Sequence, residues 1–182
     1  QVRETMIALY QNIRPLFEEF SHRAILFMAS RPAEGASTLV RRFALTVSQQ
    51  LHKSVLLLDA DQASPCQMQR FGIVPEHGWE EAVRNGAALD DVLYQVGDNK
   101  RLFVSQLSVH PESATSIFDL PELDVFLESV RQRFDLVLVD APPATASPDG
   151  LALARKVDGV VVVVEAEKTR WQVAESVRDR IA

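Results

Sequence analysis

The sequence predicts an α/β fold in which a mainly parallel β-sheet is covered by helices on both faces. Short apolar runs alternate along the chain with stretches of helical periodicity. The apolar runs lack the polar alternation of half-exposed strands, which is typical of strands that are buried on both faces. Acidic or small residues follow several of these runs, at the sheet edge where such folds bind their ligands.

The strands are predicted from continuous apolar runs that are bounded by turn-forming residues. The clearest run reads AILFMA, and the run near residue 102 is the weakest. The predicted strands are residues 24–29, 55–58, 102–104, 136–139 and 160–164. Because helical patterns separate most of them, parallel strands joined by crossover helices are the expected arrangement.

The helices are predicted where apolar residues recur every three or four positions. An amphipathic helix is expected over residues 1–20, with Met6, Ile13 and Phe17 on its apolar stripe. This stripe could dock a partner, although packing on the sheet of the same chain is the simpler explanation. Further helices are predicted over residues 37–51 and 122–133 and from Thr169 onward, with short surface helices between residues 72 and 97.

The composition indicates one globular domain that covers residues 1–182. Hydrophobic residues make up 47% of the chain and charged residues 24%, which is ordinary for a folded domain. The net charge of −6 disfavours nucleic acid as a partner, because phosphate backbones attract basic surfaces. The single cysteine, Cys66, fits a reducing compartment, and the sequence opens without a signal-peptide pattern. We therefore expect a cytoplasmic domain.

A loop with the features of a phosphate-binding loop follows the first predicted strand. It reads SRPAEGAST over residues 30–38 and contains Arg31, Glu34, Gly35 and Thr38 among its members. Such loops present backbone N–H groups to phosphates at a helix N-terminus, a lysine to the β- and γ-phosphates and a hydroxyl to Mg²⁺. Ser37 supplies the hydroxyl.

The lysine of the phosphate loop is missing, because Ala36 occupies its position. No lysine precedes Lys53, which begins the second strand and therefore lies at the opposite edge of the sheet. An ordinary strand-to-helix turn that is capped by Ser37 is the alternative interpretation of this segment. The loop alone does not decide between the two.

Aspartates follow two further strands at the same predicted edge. Asp59 and Asp61 come after LLL, and Asp140 comes after LVLV. Carboxylate oxygens suit Mg²⁺, and one such acid could orient an attacking nucleophile. A single aspartate at a strand end more often forms a turn. Aspartates after two strands, following a loop of this type, favour a nucleotide and Mg²⁺ site instead.

The order of these segments resembles the bacterial tyrosine kinases and the capsular or exopolysaccharide ATPases, a branch of the phosphate-loop NTPases. The family pattern runs approximately EAxRxLRTNL, SxxPGEGKST, LLIDADLRxP…FG, FDxVIIDTPP, TD and DGVxxVV. This chain has ETMIALYQNI, SRPAEGAST, LLLDADQASP…FG, FDLVLVDAPP, SPD and DGVVVVV. The resemblance extends from Glu4 to about Arg170, and it implies a phosphate-loop NTPase-like fold.

The resemblance also implies roles for individual residues. Ser37 corresponds to the hydroxyl that binds Mg²⁺, and Asp140 corresponds to the metal-associated acid of the third motif. Asp59 and Asp61 correspond to paired acids that hold Mg²⁺ and activate the attacking hydroxyl. The implied nucleotide-binding residues are those of the loop, which are Arg31, Ala33, Glu34, Gly35, Ala36, Ser37 and Thr38.

The departures from the family pattern concern catalysis and assembly. Besides Ala36, the loop has Ala33 in place of a glycine. The two arginines of the family's subunit-contact motif align with Ile7 and Tyr10, which leaves self-association open. Deliberate replacement of the loop lysine would explain Ala36 alone, so the wider set of departures favours natural divergence.

The resemblance and the departures together predict a degenerate kinase-like domain that is non-catalytic or weakly active. We expect it to act as a partner or regulator in exopolysaccharide biosynthesis or export. The implied partner is a membrane polysaccharide co-polymerase or another exopolysaccharide-assembly protein, which would hold the domain at the inner face of the membrane. ATP and Mg²⁺ are the implied cofactors, provided that binding is retained.

Two alternatives keep an enzymatic function. One is a slow ATPase or tyrosine autokinase of polysaccharide synthesis, in which Mg²⁺, the loop amides and Arg31 replace the missing lysine. The other is a partition-type positioning ATPase. The acidic net charge and the proline pair at Pro142 and Pro143 weigh against this last hypothesis.

Overall fold

The computed structural model describes residues 2–16, 22–108 and 116–181. Its strands are β1 (Arg23–Ala29), β2 (Val55–Asp59), β3 (Tyr94–Val96), β4 (Asn99–Gln106), β5 (Leu136–Ala141) and β6 (Gly159–Val163). Its α-helices are α1 (Val2–Ile13), α2 (Ala36–Gln50), α3 (Gln67–Arg70), α4 (Glu80–Asn85), α5 (Leu89–Val92), α6 (Glu122–Arg133), α7 (Asp149–Ala154) and α8 (Trp171–Ile181). Short 3₁₀ turns occur at Arg14–Leu16 and Ile117–Asp119.

The six strands form one sheet in the order β3-β4-β2-β5-β1-β6. All neighbouring strands are parallel except β3 and β4, which form an antiparallel pair at one edge. The predicted α/β fold with a mainly parallel sheet is therefore confirmed. The register pairs Asp59 directly with Asp140, so that the acids at the ends of β2 and β5 are neighbours.

The two faces of the sheet carry separate hydrophobic cores, as expected for strands that are buried on both sides. One core packs α1, α2 and α3 against the sheet through residues such as Met6, Phe43 and Met68. The other packs α4, α6, α7 and α8 through residues such as Trp79 and Phe126. These two layers of helices fix the strands and thereby the positions of the loops at the carboxyl edge.

The structure differs from the sequence-based expectation in two segments. The N-terminal helix ends at Ile13, one residue before the turn that contains Pro15, because proline disfavours the helical conformation of the residue before it. Phe17 of the predicted apolar stripe lies outside the described residues. The prediction of short surface helices between residues 72 and 97 is wrong at β3, a short edge strand without a continuous apolar run. Strand β4 is longer than predicted because it begins with the polar residues Asn99, Lys100 and Arg101.

Among the described residues, no helix is both long and apolar enough to span a bilayer.

Candidate functional site

The loop after β1 turns sharply before it enters α2. Ala33 and Gly35 both have positive φ angles, of 67° and 87°, and α2 begins at Ala36. A positive φ is unusual for alanine, so the loop conformation at Ala33 carries strain that glycine would avoid. No side chain caps the start of α2. The cap that the alternative interpretation assigned to Ser37 is therefore absent.

The Ser37 hydroxyl instead connects the loop to the end of β5. Ser37 Oγ donates a hydrogen bond to Asp140 Oδ1 over 3.0 Å. Asp140 is 1% exposed and Asp59, its neighbour on β2, is also 1% exposed. The hydroxyl and the two acids that the sequence predicted for a metal site are thus brought together at one edge of the sheet.

Asp59 accepts hydrogen bonds from three backbone N–H groups. Its Oδ2 accepts from the N–H groups of Cys66 and Gln67 at 2.8 and 2.9 Å, and its Oδ1 accepts from that of Asp61 at 3.1 Å. Burial raises the pKa of Asp59 to about 6, although these three hydrogen bonds oppose the rise by favouring the ionised carboxylate.

The pKa of Asp140 is raised further than that of Asp59. Burial and then the nearby charge of Asp59 raise the pKa of Asp140 to about 7, while hydrogen bonds from Gln67 and Ser37 lower it. No lysine or arginine forms an ion pair with either acid within the described part of the chain. Two buried carboxylates side by side without a cationic partner are stabilised by a bound cation or by a proton.

The chemistry of the cluster fits Mg²⁺. Asp59 and Asp140 each offer a carboxylate oxygen, and these two atoms and the Cys66 sulfur all lie within 4.8 Å of one another. Ser37 adds a hydroxyl oxygen beside Asp140, and oxygen donors are what Mg²⁺ prefers. Burial, together with Asp59 and Asp140, raises the pKa of the Cys66 thiol, so the thiol is poorly reactive.

Gln67 belongs to the site but was not predicted from the sequence. Its side chain is fully buried, and its Nε2 donates both to the Ser37 carbonyl oxygen and to Asp140 Oδ2, at 2.9 and 2.6 Å. A glutamine at the start of the short helix α3 has no sequence signature of its own. The only available signal was its position eight residues after Asp59, on the segment that returns toward the sheet edge.

A cleft of about 570 Å³ opens above the loop and the strand ends. Its walls are residues 32–38, 61–64 and 141–143, together with parts of the turn that leads into α7. The charged residues in this lining are Glu34, Asp61 and Asp149, which are all acidic. Within the described residues, the lining contains no lysine or arginine.

The structure places the remaining predicted site residues at different depths. Ala33, Glu34, Gly35, Ala36, Ser37 and Thr38 all line the cleft. Asp61 also lines it, whereas Asp59 and Asp140 lie buried below its floor. Arg31 is exposed and is not part of the lining, although the next residue, Pro32, is.

Glu34 ties the loop to the segment between β6 and α8. Its carboxylate accepts hydrogen bonds from the Ser30 hydroxyl and the Arg31 N–H, both at 2.8 Å, and from the Thr169 hydroxyl. Burial raises the pKa of Glu34, but these hydrogen bonds outweigh it and hold the pKa below the usual value. The loop is therefore fixed from two sides, by Glu34 toward α8 and by Ser37 toward β5.

The sequence is similar to tyrosine kinases of several bacteria. Over 182 residues, the sequence is 24% identical to the tyrosine-protein kinase CpsD of Streptococcus agalactiae, covering all of this chain and 78% of CpsD. It is 24% identical over 160 residues to the tyrosine-protein kinase YwqD of Bacillus subtilis, covering 88% of this chain and 67% of YwqD. The chain is a homologue of bacterial tyrosine kinases. No protein-family model matches it.

A solved structure confirms the fold of this homologue. The kinase domain of the Escherichia coli tyrosine kinase ETK superposes with a TM-score of 0.89 at 21% sequence identity. The match covers 98% of this chain and 69% of the ETK chain. The phosphate-loop NTPase-like fold expected from the sequence is thus that of a bacterial tyrosine kinase domain.

Proposed function

We propose that this kinase-like domain is a partner or regulator in exopolysaccharide biosynthesis or export, with weak phosphoryl-transfer activity or none. The observation that supports weak or absent phosphoryl transfer is the charge of the cleft, and the role in exopolysaccharide biosynthesis rests on the resemblance of the sequence motifs. The cleft lining carries the acidic residues Glu34, Asp61 and Asp149, and no basic residue among those described. Ala36 occupies the position where the family carries a lysine.

The electrostatic consequence for a nucleotide is large. An ammonium about 4 Å from a phosphate charge contributes about 4 kcal/mol at an effective dielectric constant of roughly 20. Solvent and a metal ion offset part of this loss. Even half of it corresponds to more than a tenfold loss in affinity or rate, because each 1.4 kcal/mol is about tenfold.

A residual site for Mg²⁺ and ATP is compatible with this proposal. Loop residues 33–38 present the start of α2 to the cleft, and Ser37, Asp59 and Asp140 supply the oxygen ligands for the ion. Bound Mg²⁺ would place positive charge beside the phosphates. In kinases this charge stabilises the transferring phosphoryl group.

The proposed partner is a membrane polysaccharide co-polymerase or another exopolysaccharide-assembly protein, which would place this domain at the cytoplasmic face of the membrane. The apolar stripe of α1 is not available as the docking surface, because Met6 and Ile13 pack against α2 in the core. A partner would therefore contact the exposed side of α1 or another surface.

The enzymatic part of the proposal is tested by steady-state ATP hydrolysis with purified protein and Mg²⁺. We expect turnover no faster than that of the Asp140→Asn variant, which serves as the background control. Turnover at the rate of ordinary phosphate-loop ATPases, lost on Asp140→Asn, would overturn the proposal. The partner role is tested separately, by binding of the purified domain to the cytoplasmic segment of the co-polymerase from the same organism.

The second candidate function is a slow Mg-ATP-dependent tyrosine autokinase. The acids Asp59, Asp61 and Asp140 and the Ser37 hydroxyl, which remain together, favour it. Because Arg31 lies outside the cleft lining, this candidate depends on Mg²⁺ and the loop amides for charge. It predicts phosphotyrosine in protein that is incubated with Mg-ATP, detected by mass spectrometry and absent from Ser37→Ala. Absence of phosphotyrosine from both the unmodified protein and Ser37→Ala would exclude this candidate function.

A further inference from the structure

Gln67 joins the three segments that form the edge of the site, two through its side chain and the third through its backbone N–H. Its amide nitrogen contacts the start of α2 at the Ser37 carbonyl and the end of β5 at Asp140, and its backbone N–H contacts Asp59 at the end of β2.

The orientation of this amide is fixed by its surroundings. Nε2 faces two acceptors, a carbonyl and a carboxylate, and Oε1 faces a donor, because Arg41 Nη1 lies 3.3 Å away. Rotating the amide by 180° would place an oxygen against two oxygens and a nitrogen against a guanidinium. The hydrogen-bond pattern thus permits one orientation only.

The consequence for Asp140 follows from its two oxygens. Oδ2 is held by Gln67 at 2.6 Å, and Oδ1 accepts the Ser37 hydroxyl at 3.0 Å. The two contacts fix the plane of the carboxylate relative to the Ser37 hydroxyl. Because Gln67 also holds the Ser37 carbonyl, it sets the distance between the first turn of α2 and β5.

We propose that Gln67 is a positioning residue of the cation site, holding Ser37 and Asp140 in the geometry that binds a hard divalent cation. The inference rests on the cation site of the proposed function. Gln67 acts through its hydrogen-bonded neighbours and does not ligate the ion. Groups that orient metal ligands in this way commonly contribute about 10- to 100-fold to metal affinity.

The test uses Mn²⁺ as the probe, with free Mn²⁺ measured by electron paramagnetic resonance in the absence of nucleotide. Gln67→Met removes the amide at nearly constant length, and we expect the Mn²⁺ dissociation constant to rise about tenfold or more. Gln69→Met is the matched control, because Gln69 is exposed on the same short helix α3. We expect the control to bind Mn²⁺ as the unmodified protein does.

A double-mutant cycle separates positioning from general loosening of the structure. If Gln67 acts through Asp140, Gln67→Met in an Asp140→Asn background weakens Mn²⁺ binding by less than about twofold beyond Asp140→Asn alone. If the two substitutions weakened Mn²⁺ binding by independent factors that multiply in the double variant, this would overturn the inference. So would an unchanged affinity in Gln67→Met, or a lack of Mn²⁺ binding by the unmodified protein.

A second variant covers the possibility that Gln67→Met does not fold, which a thermal unfolding scan would show. Gln67→Asn keeps a buried amide but withdraws it by one methylene from Asp140, and we expect the same direction of change in Mn²⁺ affinity. Unchanged affinity in this variant would also overturn the inference. None of these outcomes depends on ATP hydrolysis, so a failure here is distinguishable from a failure of the proposed function.

Discussion

Ala36 is the residue on which the proposed weak activity depends most directly. It is the first residue of α2, is 5% exposed and lines the cleft between the loop and the strand ends. A longer side chain at this position would extend from the helix start into a cleft whose charged residues are all acidic. In the proposed function, Ala36 leaves the phosphate region without positive charge from the described lining residues.

Restoring the lysine is expected to restore nucleotide binding. Ala36→Lys should raise the affinity for Mg-ATP at least tenfold, because half of the roughly 4 kcal/mol available at 4 Å already exceeds one factor of ten. Isothermal titration calorimetry measures the change. Ala36→Met is the matched control, since it has similar length and no charge. Equal affinities for the two variants would show that the missing charge is not what limits binding.

The buried acids predict an unusual dependence of stability on pH. Their pKa values, about 6 for Asp59 and about 7 for Asp140, lie above the value of about 3.9 for an unfolded aspartate. The native state therefore binds protons more tightly than the unfolded state between pH 4 and 7. By linkage, this contribution to stability is present at low pH and is lost as the pH rises through 6 to 7.

In metal-free protein, the free energy of unfolding in urea should fall between pH 5.5 and pH 8.0, on the order of 1–3 kcal/mol. Glu34 and Asp135, whose pKa values are lowered, change their contributions only below this range. His77, whose pKa is raised by Glu81, adds a change of the same sign. Asp140→Asn identifies the source, because it should remove more than half of the decrease. Stability that rises toward pH 8.0 would contradict the prediction.

At the scale of elements, the site depends on how α2 and the segment before α8 are joined to the sheet. Glu34 accepts hydrogen bonds from both sides of the loop, and it contacts Thr169 in the turn before α8. Such a contact between segments 135 residues apart cannot be predicted from sequence spacing. The glutamate itself matched the family loop pattern, so the residue was predicted and its structural role was not.

Removal of the Glu34 carboxylate should loosen both segments. Glu34→Ala leaves the Ser30 hydroxyl, the Arg31 N–H and the Thr169 hydroxyl without their shared acceptor. We expect a loss of about 1–3 kcal/mol in unfolding free energy and faster amide exchange in residues 30–35 and 165–169. Glu76→Ala, at an exposed position, is the control. Faster exchange in only one of the two segments would show that Glu34 does not join them.

For the whole molecule, the sequence predicted the architecture well because the physics of buried strands leaves a clear pattern. The continuous apolar runs marked β1, β2 and β5, and the acids after them marked the carboxyl edge. The hairpin of β3 and β4 was missed or shortened because β3 and the first three residues of β4 lack a continuous apolar run. Gln67 was missed because its role depends on tertiary contacts with residues 30 and 73 positions away.

The sheet order makes a last prediction about where the molecule opens. Strand β5 lies between β2 and β1 and is buried along its whole length. Strand β6 pairs only with β1 among the described strands, and every one of its residues is partly exposed. Val164 and Trp171 beside it are 45% and 64% exposed. Edge strands with few buried contacts open at lower free energy than central strands.

Amide hydrogen exchange should therefore be at least about tenfold faster in β6 than in β5 at low protein concentration, which corresponds to a difference of about 1.4 kcal/mol in opening free energy. Only the β6 amides that bond to β1 are compared, because amides that face away from β1 have no strand partner and exchange fast even in the closed state. Equal protection of β6 and β5 in dilute protein would contradict the prediction. Protection of β6 that grows with protein concentration would show instead that this edge pairs with a second copy of the chain, since β6 would then have neighbours on both sides.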